Sequence, residues 1–374
     1  RRMARRYWQG SKMSNWPDWL PLREQLRPLT PYGAPQVPAT ARMNTNENPY
    51  GPSTELSNAI ATRVGEVAQS LNRYPDRDCI KLREGLADYL NSLSATRLNL
   101  ENIWVANGSN EILQSIFLAF GSRQALGFTP SYSMHPLIAK VAGVVWVDGK
   151  RREDFTLDID STLNQVANLK PALTFVTTPN NPTGTSLSIS DLEKLAAKCK
   201  SIDGLLVVDE AYAEFSSQPS AITLIDKYPN LLVSRTMSKA FAFAGARVGY
   251  LAANKEVIDA LQLVRLPYHL SALTQAAAEV ALEFKEELLS EVRQLSKDRD
   301  QMVVDLRALG LTVIPSDANF LLFTGFKIPS NVLWQRLLAE GVLIRDVGLP
   351  GYLRVTIGNG AENQAFLTAL KGAL

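Results

Sequence analysis

The sequence predicts an α/β protein with a large, doubly wound, mostly parallel seven-stranded sheet and a smaller α+β unit at the C-terminal end. Three observations predict it. Seven short apolar, β-branched runs alternate with amphipathic helical stretches through the middle of the chain, the pattern of strands covered on both faces by crossover helices. Beyond Ala272 that alternation gives way to one long helical stretch and then to short strands and helices in mixed order. The length of 374 residues leaves room for about two domains at roughly 150 residues each.

The elements follow in chain order. Residues 1–13 hold Arg1, Arg2, Arg5, Arg6 and Lys12 without an acid, and lack the apolar core of a secretory signal. They read as a disordered leader, with Met13 a candidate start. Residues 14–43, rich in proline from Pro21 onward, read as an arm over the surface. The large domain, 44–272, carries strand candidates at 103–107, 125–129, 144–147, 173–177, 205–209, 231–234 and 248–252, with helical patterns such as 110–120 and 190–200 between them. In the small domain, 273–374, a helix over 273–309 precedes strands at 312–314 and 320–323. A helix near 331–340, strands at 342–345 and 353–357, and a terminal helix from about Ala361 complete it.

Composition narrows the function classes. Hydrophobic residues make up 46% and charged residues 20%, ordinary for a soluble globular protein. Basic residues number 39 and acidic 37; without the five in the leader the balance is 34 against 37, so no global field favours nucleic acid or an anionic membrane. No apolar run is long enough to span a bilayer. Cys79 and Cys199 are too few for a disulfide framework, and His135 and His269 too few for a His-rich metal site. A reducing, cytoplasmic location fits.

In a parallel sheet, ligands bind beyond the carboxyl ends of the strands, and polar residues gather there. Gly108-Ser109-Asn110-Glu111 opens a helix after the first strand; its backbone N–H groups and the helix dipole suit an anion, with a plain N-cap by Ser109 or Asn110 as the alternative. Pro179-Asn180-Asn181-Pro182-Thr183-Gly184 makes a tight turn holding Asn181. Asp209, ending an apolar strand, either caps the next turn or serves a cation. Lys239 lies among small and apolar residues before Arg247. Desolvation there lowers an amine toward its nucleophilic form. A lone lysine is ordinarily a surface residue; the company of the other strand-end groups reverses that reading.

The motifs Asn44-Thr45-Asn46-Glu47-Asn48-Pro49-Tyr50, Asn72-Arg73-Tyr74-Pro75, Pro130-Ser131-Tyr132-Ser133, Leu266-Pro267-Tyr268-His269-Leu270-Ser271 and Arg354-Val355-Thr356-Ile357-Gly358 carry a resemblance. From about Leu22 to its end, the chain resembles the fold-type I, pyridoxal-phosphate-dependent aminotransferases of class I/II. Within them it is most similar to the subgroup acting on histidinol phosphate, in its actinobacterial form. The resemblance implies that Lys239 forms a Schiff base with pyridoxal 5′-phosphate and moves the substrate proton, while Asp209 keeps the pyridine nitrogen protonated. It implies that Asn181 and Tyr212 bond the phenolic oxygen, that Tyr132 stacks on the ring, and that Ser109, Asn110, Ser238 and Arg247 hold the cofactor phosphate. Tyr74 would reach that phosphate from a partner subunit, making a homodimer. Arg354 would pair with the α-carboxylate of L-glutamate, Arg345 and Tyr32 would contact the phosphate of an imidazole ketone, and Asn181 would border the substrate. No metal is implied. The expected reaction is transamination between L-glutamate and imidazole-acetol phosphate in histidine biosynthesis. An aromatic amino-acid aminotransferase, a threonine-phosphate decarboxylase and a non-catalytic regulator are the alternatives; the last is disfavoured because the stretch before Leu22 is too short for a DNA-binding domain.

Overall fold

The computed structural model describes residues 16–31 and 33–374; the leader and Tyr32 lie outside them. The chain begins with β1 (Ala41–Arg42), α1 (Thr54–Ala68) and α2 (Ile80–Ser94). Then come β2 (Ile103–Ala106), α3 (Ser109–Phe120), β3 (Ala125–Thr129), α4 (Met134–Ala142), β4 (Trp146–Lys150) and α5 (Ile159–Leu169). β5 (Leu173–Thr177), α6 (Ile189–Lys200), β6 (Leu205–Asp209), β7 (Leu231–Thr236), β8 (Gly249–Ala253) and α7 (Lys255–Leu261) complete the large sheet and its cover. The remainder is α8 (Ala272–Glu283), α9 (Lys285–Ala308), β9 (Thr312–Val313), β10 (Phe320–Thr324), α10 (Ser330–Ala339), β11 (Val342–Leu343), β12 (Leu353–Thr356) and α11 (Gly360–Ala373).

The large sheet runs β2-β8-β7-β6-β5-β3-β4. β8 is antiparallel to both its neighbours, and the other pairings are parallel. Alternate side chains of its strands feed two cores. Phe175, Val207 and Leu232 pack with α3 and α4, while Val176, Val208 and Val233 pack on the other face with α2, α6 and α8. Such two-sided burial is why the strands read as continuous apolar runs. The chain leaves β3 toward β4 on one side and returns on the other as β5, so the strand order reverses between β3 and β5. Loops after those strands open a crevice where α/β sheets bind ligands.

Side-chain caps set the helix starts. Ser53, Asp158, Ser188, Asn254 and Ser271 each accept a bond from a backbone N–H of the first turn. Asn359 and Glu362 form a reciprocal capping box at α11, satisfying donors that a helix start otherwise leaves open.

Two expected elements differ. The strand expected at 144–147 forms at Trp146–Lys150, because Gly143 closes α4 in the left-handed region and Val144 N bonds back to Ala139 O. The single helix expected over 273–309 is two, broken at Phe284, whose φ of −98° and ψ of 17° leave the helical range. α8 packs on α1 and α2, whereas α9 packs on β9 and β10. The small sheet is β12-β10-β9, antiparallel. A parallel pair of β1 with β11, extended by Met43 N to Leu343 O and Thr356 N to Met43 O, lays segment 43–47 across the ends of the large strands.

Candidate active site

A cavity of about 410 Å³ lies at the carboxyl ends of β5, β6 and β7, closed from above by segment 44–47 and by residues 345–347. It brings together Ser109, Asn110, Tyr132, Asn181, Asp209, Tyr212, Ser238, Lys239, Arg247, Arg345 and Arg354, eleven of the thirteen residues expected from the sequence. Tyr32 lies outside the described residues. Tyr74 is not in this cavity: it is 79% exposed and stacked on Tyr268 with ring centroids 4.3 Å apart.

One end of the cavity suits an anion. Gly108, not Ser109 or Asn110, occupies the cap position of α3, with φ 83°, and no side chain caps the helix. A methyl group at Gly108 would lie 2.4 Å from Nη2 of Arg247, and one on Gly249 would lie 2.3 Å from Gly108 C and Ser109 N. The arginine and the strand thus press directly on the turn that only glycine permits. Arg247 itself has φ 60°, uncommon for a side-chain-bearing residue. Its Nη1 is 3.1 Å from Ala244 O and 3.5 Å from Ser238 Oγ. Uncapped amides and a permanently charged fork make an anion cradle. Gly249→Ala should force that turn away from Arg247. Crowding of this kind costs about 1–3 kcal/mol, visible as a lower melting temperature and weaker phosphate-ester binding by calorimetry.

The floor carries Asp209. Its Oδ2 is 2.9 Å from Nε2 of His135, both side chains buried, while Oδ1 has no hydrogen-bond partner among the described residues. A buried carboxylate oxygen left open is costly unless a donor meets it, so the position suits a protonated ring nitrogen. Tyr132 forms one wall, its hydroxyl donating to Asn110 Oδ1 at 3.1 Å.

Lys239 stands opposite, its Nζ donating to Thr45 O at 2.9 Å. Burial, aided by the positive charges of Arg354 and Arg247 and opposed by Glu47, pulls the amine down to about 8. The Tyr212 hydroxyl accepts from Asn46 Nδ2 at 2.9 Å and from Asn181 Nδ2 at 3.5 Å. Asn46, at φ 56°, is held by Thr356, which donates to its Oδ1 and accepts from its backbone N–H, both at 3.0 Å. At the far end, Arg345 and Arg354 pair through reciprocal backbone bonds of 2.9 Å. Arg354 also bonds Asn181 Oδ1 and Asn44 O and lies over Phe320.

Sequence reasoning did not single out Asn44, Thr45, Asn46, Glu47 or His135 as site residues. The first four stand in the Asn44–Tyr50 motif that carries the resemblance. Nothing in the sequence around His135 points to Asp209, 74 residues away. Among the described residues, no cluster of His, Cys, Asp and Glu could hold a metal ion, and no helix is long and apolar enough to cross a membrane.

The aminotransferase class I and II family profile matches residues 40–370. The histidinol-phosphate aminotransferase of Mycolicibacterium smegmatis is 56% identical over 353 residues, covering 94% of this chain and 92% of the relative. Among solved structures, the histidinol-phosphate aminotransferase from Clostridium acetobutylicum superposes with a TM-score of 0.80 at 25% identity, covering 89% of this chain and 98% of that one. The Sinorhizobium meliloti histidinol-phosphate aminotransferase, solved in complex with pyridoxal-5′-phosphate, gives 0.81 at 24% identity, covering 97% and 99%. On a matching profile, an end-to-end relative and a shared fold-type I architecture, the chain belongs to the class I and II aminotransferases.

Proposed function

We propose that the chain transfers the amino group of L-glutamate to imidazole-acetol phosphate, giving 2-oxoglutarate and histidinol phosphate, with pyridoxal 5′-phosphate as cofactor. The observation that carries this reading is the cavity itself. An anion cradle, an open buried carboxylate oxygen, a lysine amine lowered to about 8 and a pair of arginines face one space. The residues fit the cofactor: Ser109, Asn110, Ser238 and Arg247 would hold its phosphate, Asp209 its ring nitrogen, Tyr212 and Asn181 its phenolic oxygen, and Tyr132 would border its ring. Bound there, the cofactor supplies an electron sink for the charge left when the substrate Cα–H proton departs.

The chain's own residues supply the rest. Asp209, braced by His135, would hold the proton on the ring nitrogen. Lys239 Nζ would hold the cofactor and would receive and return the substrate proton; transfer by a positioned group contributes on the order of 10²–10⁴-fold. Arg354 offers a two-pronged clamp to the glutamate α-carboxylate, and Arg345 offers charge to the far phosphate. L-Glutamate brings an α-carboxylate for Arg354, and the ketone brings a phosphate dianion for Arg345. Phenylpyruvate offers only a carboxylate and an uncharged ring and leaves Arg345 without a phosphate, which favours the phosphorylated ketone as acceptor. Steady-state kinetics on both acceptors test the reading: a higher kcat/KM for phenylpyruvate would overturn it.

We also propose a homodimer working in the cytoplasm, in which Tyr74 reaches the cavity of the second copy; its exposure, stacked on Tyr268 outside its own cavity, supports that reading. We propose the division into an arm at 14–43, a large domain at 44–272 and a small domain at 273–374 that the sequence suggests; the separate seven-stranded and three-stranded sheets support two units, while α8, packed on α1 and α2, goes with the large one.

The lowered amine has a direct consequence. Below about 8 the neutral fraction of Nζ falls about tenfold per pH unit, whereas an ordinary lysine holds its proton to about 10.5. Capture of Lys239 by pyridoxal 5′-phosphate under borohydride should therefore rise with pH and level off above about 8. A midpoint above 10 would contradict the assignment.

A further inference from the structure

Behind the cavity, on the opposite face of the same two strands, lies a buried ion cluster whose members do not line it. Asp209 continues the series of Val207 toward one core, and Glu210 falls to the other side, where Arg235 projects from β7 next to Val233. Arg235 bonds Glu210 Oε2 through Nε at 3.0 Å and Nη2 at 2.8 Å, Glu214 Oε1 through Nη1 at 2.9 Å, and Ser220 Oγ through Nη2 at 2.8 Å. The side chains of Arg235, Glu210 and Glu214 are at most 3% exposed. Tyr89 adds a bond to Glu214 at 3.2 Å and meets Phe241 edge-on, two residues past Lys239. Glu210 also accepts from Ser220 Oγ and Ala221 N.

We infer that Arg235 is a positioning residue for this reaction: by gripping Glu210 and Glu214 together it fixes the loop between them, and with that loop the hydroxyl of Tyr212. The inference rests on the cavity reading given above. Tyr212 stands midway between the two glutamates, so both ends of its segment are tied to one guanidinium. Burying three ionised groups costs several kcal/mol per ion, and apolar side chains of similar volume serve stability as well or better. A planar fork with fixed donor directions adds geometry instead. The burial that opposes its charge is outweighed by Glu210 and Glu214, which hold the guanidinium above its ordinary range. On the cavity side the Tyr212 hydroxyl meets Asn46 and Asn181, and the ring meets Phe320 edge-on at 5.1 Å. The phenol is therefore set from front and back.

Glu214→Ala tests this without stranding a charge, since Arg235 and Glu210 remain a neutral pair; Glu214→Gln keeps an acceptor for Nη1. Each is made alone and together with Tyr212→Phe. Two readouts are followed: hydrogen exchange of amides 211–213 in the cofactor-free protein, and the dissociation constant and visible band of bound pyridoxal 5′-phosphate. Glu214→Ala should speed exchange about tenfold, weaken cofactor binding about tenfold and move the band in the direction Tyr212→Phe moves it. Glu214→Gln should restore all three. In the Tyr212→Phe background Glu214→Ala should change cofactor binding less than twofold, because residues acting through one another are not additive. Equal weakening in both backgrounds, or unchanged exchange in Glu214→Ala, would overturn the inference. A parent protein that takes up no pyridoxal 5′-phosphate would instead overturn the cofactor reading, and the exchange data would still decide whether the grip exists.

Discussion

Replacing Lys239 by alanine should reduce turnover of L-glutamate with imidazole-acetol phosphate by at least the 10²–10⁴-fold that a positioned proton-transfer group contributes. The loss is expected in both half-reactions, since the same amine serves each. Folding should survive. In the cavity the ammonium is disfavoured by burial and by Arg354 and Arg247, so the amine sits at about 8 rather than at its ordinary 10.5. A lysine lowered in this way binds its proton less well folded than unfolded, and at pH 7 it works against the native state; its opposition fades as pH rises from 8 toward 10.5. Lys239→Ala should therefore melt no lower than the parent in the cofactor-free form at pH 7, measured by calorimetry. Loss of turnover with a lowered melting temperature would point to a structural role instead.

Replacing Asp209 by asparagine is the second large effect. The amide keeps the shape and a hydrogen bond to His135 but cannot hold a cation at the position where Oδ1 lies open. Removing one preorganised electrostatic contact costs on the order of 10²–10³-fold in kcat. A ring nitrogen anchored there takes part with every substrate, so kcat/KM for L-glutamate and for the phosphorylated ketone should fall in parallel. A loss under tenfold, or one confined to a single substrate, would contradict the role. Arg354 offers the contrast, because its clamp is expected to act on the glutamate half alone.

The sequence made the cofactor end of the site legible because a parallel sheet turns local signals into a shared location. Ser109, Asn181, Asp209 and Ser238 each follow an apolar run, and strand ends on one edge of a sheet converge. What stayed hidden depended on contacts between distant segments. His135 meets Asp209 only because α4 and β6 pack on the same face, and Asn46 meets Tyr212 only because β1 pairs with β11. The break at Phe284 has no glycine or proline to announce it; helical periodicity continues across it, and the two helices differ in what they pack against. Tyr74 was recognisable as a motif, yet a single chain keeps it outside the cavity.

If Lys239 Nζ is the atom that holds the cofactor, mass spectrometry will find the bond there. The protein is loaded with pyridoxal 5′-phosphate, reduced with borohydride and cut with trypsin, which cleaves after Arg235 and Arg247 but not after a modified lysine. The added mass is expected on peptide 236–247, at Lys239. Label on another lysine, or no label after full loading, would contradict it.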